Sequence, residues 1–547
     1  MSLDHPAILI SIQLMEVIMD YVLIVFALMI LALICVFAFA LWSQHRVARK
    51  KHKINTRQPE HVVDLNLDKV VTAIVKGREE YDISPFFYTP LEYPDDIYYR
   101  QGVIQDVAKD DIYNALVEYS TTMQKIRDIG SRKENRYYHY QQRRWELECV
   151  LLYCRTVTVL HERLQAISFT SCGMTNFRNY LSEYINSVGF TDLSTVAQTI
   201  RRQLDDIRYS LRIKGDTIRV GHYEDEINYS HEVLRVFSRF KQHDVQVDVD
   251  FRSHDGIMNN LEARVLDCVA KLFPAIFAGL DAFIEAHSDY QEHTLKVFER
   301  EIQFYLASIH YIRQFQAAGL TFCIPEINRE RKDIAVTSAF DLALADSLLN
   351  KQAPVVCNDF YLHGRERILV ISGPNQGGKT TFARMVGQLH YFALLGLYVP
   401  AQQATLYLVD NIFTHFEKSE NIHNLRGKLY DDLVRIKAIL DKSTTRSLII
   451  MNEIFTSTTS HDAIFLGTRI IEKVIALDAI CICVTFIDEL TALDTSVVSM
   501  MSTVEEDNEA SRTYKIIRKP ADGVAWSVTL VQKYGLTYEK IKAGLNG

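Results

Sequence analysis

The stretch GPNQGGKTT, residues 373–381, has the residue types and the spacing that bind phosphate groups. It satisfies the pattern G-x-x-x-x-G-K-[ST], with an apolar run before it and a helix-like run after it. Glycines let backbone N–H groups wrap the phosphates, and the helix N-terminus adds a positive dipole. Lys379 is expected to reach the β- and γ-phosphates, and the Thr380 hydroxyl to ligate Mg²⁺. The predicted nucleotide-binding residues are Gly373, Pro374, Asn375, Gln376, Gly377, Gly378, Lys379, Thr380 and Thr381.

A second stretch, RSLIIMNEIF at residues 446–455, ends an apolar run in Asn452 and Glu453. In many ATP-hydrolysing proteins such a strand ends in Asp-Glu, where the Asp helps to hold Mg²⁺ and the Glu polarises the attacking water. Glu453 is therefore the predicted catalytic base. Asn452 can hydrogen-bond a Mg²⁺-bound water but supplies no charge, so the predicted metal residues are Thr380 and, through water, Asn452. We expect weaker metal binding and slow hydrolysis.

The elements that must position these residues can be read from the hydrophobic pattern. After residue 350, short apolar runs end in polar clusters and alternate with helical stretches, which predicts an α/β region with buried strands. Residues 64–327 instead carry apolar positions at helical spacing, which predicts a helical domain. Residues 209–226 alternate apolar and polar types around Lys214, Gly215 and Asp216, which predicts a β-hairpin within the helices.

The bulk composition limits the classes of function. A chain of 547 residues should form two to four domains. The formal net charge of -8 argues against wholesale coating of nucleic acid, although a local basic groove stays compatible with it. The nine cysteines form no paired CxxC array, so neither a zinc site nor a disulfide framework is expected.

The N-terminal residues predict a membrane anchor. Residues 21–42 carry no charge and are long enough to cross a bilayer as a helix. A cleaved signal peptide is the alternative, because Ala38, Phe39 and Ala40 resemble a cleavage site, but the preceding residues are acidic rather than basic. Basic residues dominate positions 46–57, so the positive-inside rule puts the rest of the chain in the cytoplasm. The expected protein is a single-pass protein of the cell (inner) membrane.

One tract has the composition of a nucleic-acid contact. Residues 131–145, SRKENRYYHYQQRRW, mix five basic residues with aromatic ones. A solvated helix face is the favoured interpretation, because Glu134, Glu146 and Glu148 dilute the charge and the aromatic rings can pack.

The C-terminal half resembles the ATPase domain of the MutS DNA mismatch-repair family over residues 355–545. GPNQGGKTT stands where that family has GPNMGGK[ST]T, and three further segments match in the same order. They are GLYVPA (396–401), VDNIFTHF (409–416) and SLIIMNEIFTSTTSHDA (447–463). The preceding helical region looks like the family's core and lever domain. The resemblance implies a homodimer that sandwiches two ATP molecules with Mg²⁺ and that binds mismatched or branched DNA.

The predicted fold class follows from the pattern and the resemblance together. It is an α/β C-terminal P-loop ATPase domain of the ABC/MutS-like type, preceded by a mostly α-helical core and lever domain and one N-terminal transmembrane helix. The predicted organisation is an extracytoplasmic N-terminus (1–20), a transmembrane helix (21–42), a basic juxtamembrane linker (43–63), a helical domain (64–330) with a small hairpin near 209–227, and an ATPase domain (331–547).

Several positions depart from the family pattern. Phe486 stands where the family has a histidine that senses the γ-phosphate, and a phenyl ring cannot hydrogen-bond phosphate. Arg426 and Lys428 occupy the neighbourhood of the family's signature serine, where a cation is able to meet a γ-phosphate across a dimer interface. The resemblance adds Thr458 and Asp462 as candidate interface residues. In front of the helical core we expect no mismatch-reading or connector domain, and the DNA clamp is expected to be reduced to the hairpin.

Three functions stay open at this point. The first is a membrane-anchored MutS-like ATPase that couples ATP to DNA binding. The second is an ATP-gated binding or scaffold protein with little hydrolysis, acting on a protein partner at the membrane. The third is a structural scaffold with a degenerate nucleotide fold, which the presence of Lys379, Thr380 and Glu453 disfavours.

Overall fold

The structure is a computed structural model. It describes residues 58–131, 138–224, 258–417, 427–505 and 508–521, together with Lys542. Contacts divide the chain into two units, residues 1–56 and residues 57–547. The first unit lies wholly outside the described residues, so the following description concerns the second.

The membrane localisation predicted from the sequence is wrong. Among the described residues, no helix combines the length and the apolar character that a membrane span requires. The segment on which the prediction was based, residues 21–42, lies outside the described residues. The predicted extracytoplasmic N-terminus and most of the basic linker lie outside them as well.

Helices occupy most of the described chain up to Ala317. They are α1 (Glu60–Asp64), α2 (Leu67–Val75), α3 (Ser84–Phe87), α4 (Pro94–Val107), α5 (Asp110–Ser131), α6 (His139–Gln165), α7 (Cys172–Ile185), α8 (Val188–Asp205), α9 (Asn260–Leu272), α10 (Pro274–Ala286) and α11 (His293–Ala317), with a short 3-10 helix at Glu79–Tyr81. Side-chain caps start several of them. Ser171, Ser187 and Asn259 each accept a hydrogen bond from the backbone N–H three residues on, which satisfies a group that the first helical turn leaves unpaired.

A two-stranded hairpin interrupts the helices. Strands β1 (Tyr209–Lys214) and β2 (Thr217–His222) pair antiparallel, from Tyr209 opposite His222 to Lys214 opposite Thr217. Gly215 has φ 58°, which fits a tight two-residue turn.

The C-terminal half alternates strands and helices. The strands are β3 (Glu326–Asn328), β4 (Ile334–Ala339), β5 (Asn358–Leu362), β6 (Ile368–Ser372), β7 (Gln403–Tyr407), β8 (Ile412–His415), β9 (Leu448–Asn452), β10 (Ile480–Val484), β11 (Val497–Glu505) and β12 (Asn508–Arg518). The helices are α12 (Leu342–Leu349), α13 (Lys379–Leu394), α14 (Lys428–Lys442) and α15 (Ser460–Leu477), with a 3-10 helix at Asp488–Ala492. The prediction of a helical region followed by an α/β region is confirmed, and the exact domain boundaries stay predictions.

Two sheets organise this half. The larger has the order β12-β11-β6-β10-β9-β8, with parallel pairing except for the antiparallel edge strand β12. The smaller has the order β3-β7-β4-β5. The central strands of the large sheet are buried on both faces, as their continuous apolar sequences predict. Leu369 and Ile371 pack into the core shared with α13, whereas Ile368 and Val370 pack into a second core with α14 and α15.

The strand order brings three chain segments together at the carboxyl end of the sheet. Strands β6, β10 and β9 are neighbours and run parallel, so their carboxyl ends at Ser372, Val484 and Asn452 lie side by side. Loops at the carboxyl ends of the strands are the usual place for a ligand in an open α/β sheet. The residues singled out by the sequence follow these three strand ends.

The N-terminal helices pack directly on α13, the helix that follows residues 373–378. Arg384 Nε donates to the carbonyl of Asp64 at 2.9 Å, and Gln388 Nε2 donates to the carbonyl of Leu65 at 2.9 Å. Gly387 permits this close approach, because a Cβ there would overlap the Leu65 side chain. The turn between α1 and α2 is thereby fixed against α13.

Candidate functional site

The loop at residues 373–378 joins β6 to α13 in a conformation that requires glycine at both ends. Gly373 has φ 109° and Gly378, the residue that caps α13, has φ 90°. Both values lie in the left-handed region, which side chains with a Cβ rarely adopt. The loop therefore presents its backbone, rather than side chains, at the start of α13.

A neighbouring strand sets a second requirement for glycine. Ser502 of β11 lies against the loop, and a Cβ on Gly377 would overlap its Oγ. A Cβ on Gly373 would lie 3.1 Å from the backbone N and O of Ser502. Sequence reasoning missed Ser502, because no local pattern shows that β11 pairs with β6.

Lys379 is buried at the floor of the site, with 4% of its surface exposed. Its Nζ donates to the carbonyl of Gly373 at 2.8 Å and to that of Pro374 at 3.0 Å. Burial lowers the pKa of Lys379 to about 8, because the charged form loses hydration. The Glu453 carboxylate opposes this shift, and the Arg512 guanidinium adds to it.

Glu453 leaves β9 in a left-handed conformation, with φ 55°. Its N–H donates to the carbonyl of Val484 at 2.9 Å, which ties the end of β9 to the end of β10. A non-glycine residue in this region costs about 1–3 kcal/mol and persists where the surroundings enforce it, often at functional sites. The chain turns here, and the half-buried Glu453 comes to line the same cavity as Lys379.

Asn452 is nearly fully buried, with 6% of its surface exposed. Its Oδ1 has no hydrogen-bond partner among the described residues. An unpaired buried acceptor costs free energy, so an oxygen in this position is suited to a ligand or to an ordered water.

A cavity of about 480 Å³ lies in front of the loop. Such a volume suits a small-molecule ligand or cofactor. Besides Glu453, the loop and helix residues lining it are Gln376, Gly377, Gly378, Lys379, Thr380, Thr381, Phe382 and Met385. The opposite wall comes from Asp341, Leu344, Leu348, Pro354, Val355, Val356, Asn358 and Tyr514. The cavity thus has a polar end at the loop and a largely apolar end at residues 344–356.

Phe486 lies over the buried lysine. Its ring centroid is 4.3 Å from Lys379 Nζ, within the range of a cation–π contact, and 49% of its surface is exposed. The structure thus brings the loop residues and Glu453 together around the cavity and places Phe486 against Lys379, although Phe486 is not among the residues that line the cavity.

Other candidate residues lie elsewhere. Thr459 caps α15, and its hydroxyl donates to Asp462 at 2.9 Å, while Thr458 lies 3.4 Å from the same carboxylate. Neither Thr458 nor Asp462 lines the cavity; Asp462 lies in the first turn of α15, and Thr458 directly precedes its capping residue. Lys428, the first residue of α14, pairs with Glu417, and its Nζ also lies 3.4 Å from Thr456 Oγ1. Arg426 lies outside the described residues.

Strand β12 supplies site residues that the sequence did not reveal. Arg512 Nε donates to the carbonyl of Asn375 at the tip of the loop, at 3.3 Å. Tyr514 lines the cavity beside Gly378, and its carbonyl accepts a hydrogen bond from Asn358 Nδ2 at 3.2 Å. These contacts need the antiparallel return of β12, which no local signal predicts.

The residues present fit a magnesium ion. Mg²⁺ prefers oxygen ligands, and Thr380 would offer a hydroxyl while Asn452 would offer its amide oxygen to a metal-bound water. The unpaired Oδ1 of Asn452 supports this assignment. Among the described residues, no group of three or more His, Cys, Asp or Glu side chains is arranged to hold a metal.

A larger cavity, of about 770 Å³, lies in the helical region. Side chains of α6, α8, α9 and α10 line it, Tyr140 and Arg144 among them. Tyr140 packs edge-on against Phe277, and Arg144 pairs with Glu148. The described part of the 131–145 tract is therefore engaged with its own chain, as the helix-face interpretation expects. The candidate site is the smaller cavity, because Lys379, Thr380 and Glu453, whose side chains could bind phosphate or activate water, line that one.

Comparison with known proteins matches the C-terminal region to the family model MutS domain V, over residues 369–542. The chain is similar to the DNA mismatch repair protein MutS of Chlorobium phaeovibrioides, with 28% identity over 296 residues, 53% of this chain and 32% of the relative. It is also similar to the DNA mismatch repair protein Msh3 of Homo sapiens, with 31% identity over 216 residues, 39% of this chain and 18% of the relative.

A third relative is the DNA mismatch repair protein MutS of Thermotoga maritima, with 31% identity over 184 residues, 34% of this chain and 23% of the relative. The matched regions span about a third or less of the length of these curated relatives. The match to domain V covers the loop, β9 and Phe486, which are the elements of the candidate site. The C-terminal region of the chain is therefore similar to domain V of MutS proteins.

Proposed function

We propose that the chain binds ATP with Mg²⁺ at the cavity in front of residues 373–381, hydrolyses it slowly and couples its binding to DNA. The observation that carries the proposal is the buried Lys379, held on the carbonyls of its own loop at the floor of a cavity that Glu453 also lines. A buried ammonium is costly unless a partner compensates it, and a phosphate group is such a partner.

Each residue has a role that its surroundings support. The backbone N–H groups of the loop and the N-terminus of α13 bind the phosphates, and Lys379 neutralises them. Thr380 and, through a bound water, the unpaired oxygen of Asn452 would hold the magnesium ion, which would supply positive charge to polarise the terminal phosphate. Glu453 orients the attacking water, since its carboxylate lines the same cavity as Lys379.

The wider organisation is proposed from the similarity to MutS proteins. Residues 331–547 form the ATPase domain, and residues 64–330 form the core and lever domain. Two copies of the chain associate through the ATPase domains, with Arg426, Lys428, Thr458 and Asp462 near the interface. The relatives are named as DNA mismatch repair proteins, which supports mismatched or branched DNA as the ligand.

A second candidate is an ATP-gated binding protein that hydrolyses little ATP and acts on a protein partner. Two observations favour it. The residue before Glu453 is the uncharged Asn452, and Phe486 rather than a hydrogen-bonding residue lies over Lys379. Both features are at the end of the site where hydrolysis, rather than binding, would be controlled.

Equilibrium binding of ATP tests the site. Lys379→Ala should weaken ATP binding by about a hundredfold or more, because it removes a charge-assisted contact with the phosphates. Lys473→Ala, which removes an exposed lysine from α15, is the matched control and should bind as the wild type does. Equal affinities for ATP in the wild type and in Lys379→Ala would overturn the assignment of the ATP site.

DNA binding needs a separate test. Gel shifts on homoduplex, mismatched and branched DNA, with and without ATP at a fixed salt concentration, should give the tightest binding to one of the last two. ATP should change that affinity. Absence of binding to all three would favour the protein-partner candidate.

A further inference from the structure

The backbone around Phe486 is fixed on both sides. Thr485 is buried, with 2% of its surface exposed, and its N–H donates to the carbonyl of Ile371 at 3.1 Å. The N–H of Ile487 donates to Thr485 Oγ1 at 3.0 Å, and Ile487 packs near Gly467 of α15. The half-exposed ring of Phe486 therefore stands on an anchored turn, and it can move by rotation of its side chain alone.

Lys379 makes its two hydrogen bonds with carbonyls of its own loop. An ammonium group has three N–H donors, and two of those of Lys379 point to the carbonyls of Gly373 and Pro374. The ring of Phe486 lies over the same nitrogen, 4.3 Å from it. A phosphate oxygen that approaches Lys379 must accept from the third N–H donor, which the two carbonyls do not use. The ring of Phe486 lies over the ammonium group to which this donor belongs.

We infer that Phe486 is a positioning residue for Lys379. Its ring holds the ammonium on the carbonyls of Gly373 and Pro374 while the site is free of nucleotide, and a phosphate group displaces the ring in order to reach the lysine. The inference rests on the proposed ATP site, since it concerns how that site opens. ATP binding then competes with the ring for the same cation, and the exposed half of Phe486 gives the displaced ring room to move.

The charges around the lysine favour such a contact. Burial of Lys379 removes most of its hydration, and cation–π contacts strengthen when the cation is desolvated. Arg512 raises the positive potential at the same place, while Glu453 is the carboxylate that acts on Lys379. The face of an aromatic ring adds electron density there without adding a charge that would repel phosphate.

Two measurements test the inference with Phe486→Leu. The first is acylation of Lys379 by a small amine-reactive ester without nucleotide at pH 7.5, followed by mass spectrometry. Removing the ring uncovers the amine and frees it from the cation–π contact, so labelling should speed up by about twofold to thirtyfold, the range of such a contact. The second is ATP affinity, which should rise by a similar factor because phosphate no longer competes with the ring.

Two further variants separate positioning from a general structural effect. Phe486→Trp keeps an aromatic face and should restore slow labelling and wild-type affinity. Phe465→Leu removes another exposed phenylalanine, which lies 5.6 Å from the Arg469 guanidinium on α15, and should change neither quantity.

Labelling or ATP affinity that stays at the wild-type value in Phe486→Leu would overturn the inference. So would equal effects of Phe486→Leu and Phe486→Trp. The proposed function fails on a different result, namely no ATP binding by the wild type. The labelling experiment needs no nucleotide and tests the contact in either case.

Discussion

The two sides of the candidate site differ in how far they keep the chemistry of an ATP-hydrolysing protein. The loop side, residues 373–381 from the end of β6 into the first turn of α13, has every residue type that phosphate binding requires. The strand-end side, made by the ends of β9 and β10, has kept Glu453 but carries Asn452 in place of a charged residue and Phe486 over the lysine.

This difference separates binding from turnover. Phosphate binding depends on backbone N–H groups and on a buried cation, all of which belong to the loop side. Metal binding and water activation depend on carboxylates at the strand ends, where one has become an amide. Under the proposed function, different elements carry the two tasks, so substitutions should affect one without the other.

The largest expected effect is on turnover. Glu453→Gln removes the base that orients water, so ATP hydrolysis should fall by about 10²–10⁴-fold, while ATP affinity changes by less than about threefold. A steady-state assay and a binding isotherm measure the two quantities. Glu472→Gln, in the exposed part of α15, is the control and should hydrolyse ATP at the wild-type rate. Hydrolysis that survives Glu453→Gln would assign the base to another residue.

The next effect concerns the loop side. Gly377→Ala puts a Cβ against Ser502 Oγ and the Pro374 carbonyl, so the loop must shift, and ATP affinity should fall by about tenfold. Ser502→Ala removes the overlapping hydroxyl and should recover part of the loss in the double variant. Gly279→Ala, at a helical glycine with open space around it, should bind ATP as the wild type does. Purely additive effects of the two substitutions would show that β11 does not shape the loop.

A smaller effect is expected from pH. Burial lowers the pKa of Lys379 to about 8 in the nucleotide-free site, so the lysine is charged at pH 7 and mostly neutral at pH 9. Phosphate binds the charged form, and therefore ATP affinity should fall by up to about tenfold between pH 7 and pH 9. Proton uptake on ATP binding at pH 9, measured by calorimetry in two buffers, checks the sign. A pH-independent affinity over this range would contradict it.

The local features of the fold follow from the sequence because short segments carry them. The run before Gly373 forms β6, the run before Asn452 forms β9, and the predicted alternation around Gly215 coincides with β1 and β2. The apolar runs bury on both faces, as strands in a covered parallel sheet must.

The residues that escaped prediction come from distant segments. Ser502, Arg512 and Tyr514 reach the loop only because β11 pairs with β6 and β12 returns antiparallel beside it. A single sequence carries no signal for that strand order. Thr458 and Asp462 lie at a helix start, where a polar cluster is also typical, and their role at an interface stays a prediction.

The membrane prediction was wrong because it relied on a single local segment. It took one apolar run, residues 21–42, as decisive for the whole chain. Among the described residues no helix meets the requirement for a span, and that run lies outside them.

The dependence of ATP binding on magnesium distinguishes the two sides of the site. Asn452 supplies no charge for the metal, so wild-type affinity for ATP should change by less than about tenfold when EDTA replaces Mg²⁺. Asn452→Asp restores a carboxylate and should enlarge the magnesium effect, whereas Asn260→Asp, at the exposed start of α9, should not. A wild-type affinity that falls by about a hundredfold in EDTA, with no further change in Asn452→Asp, would contradict the separation of binding from turnover.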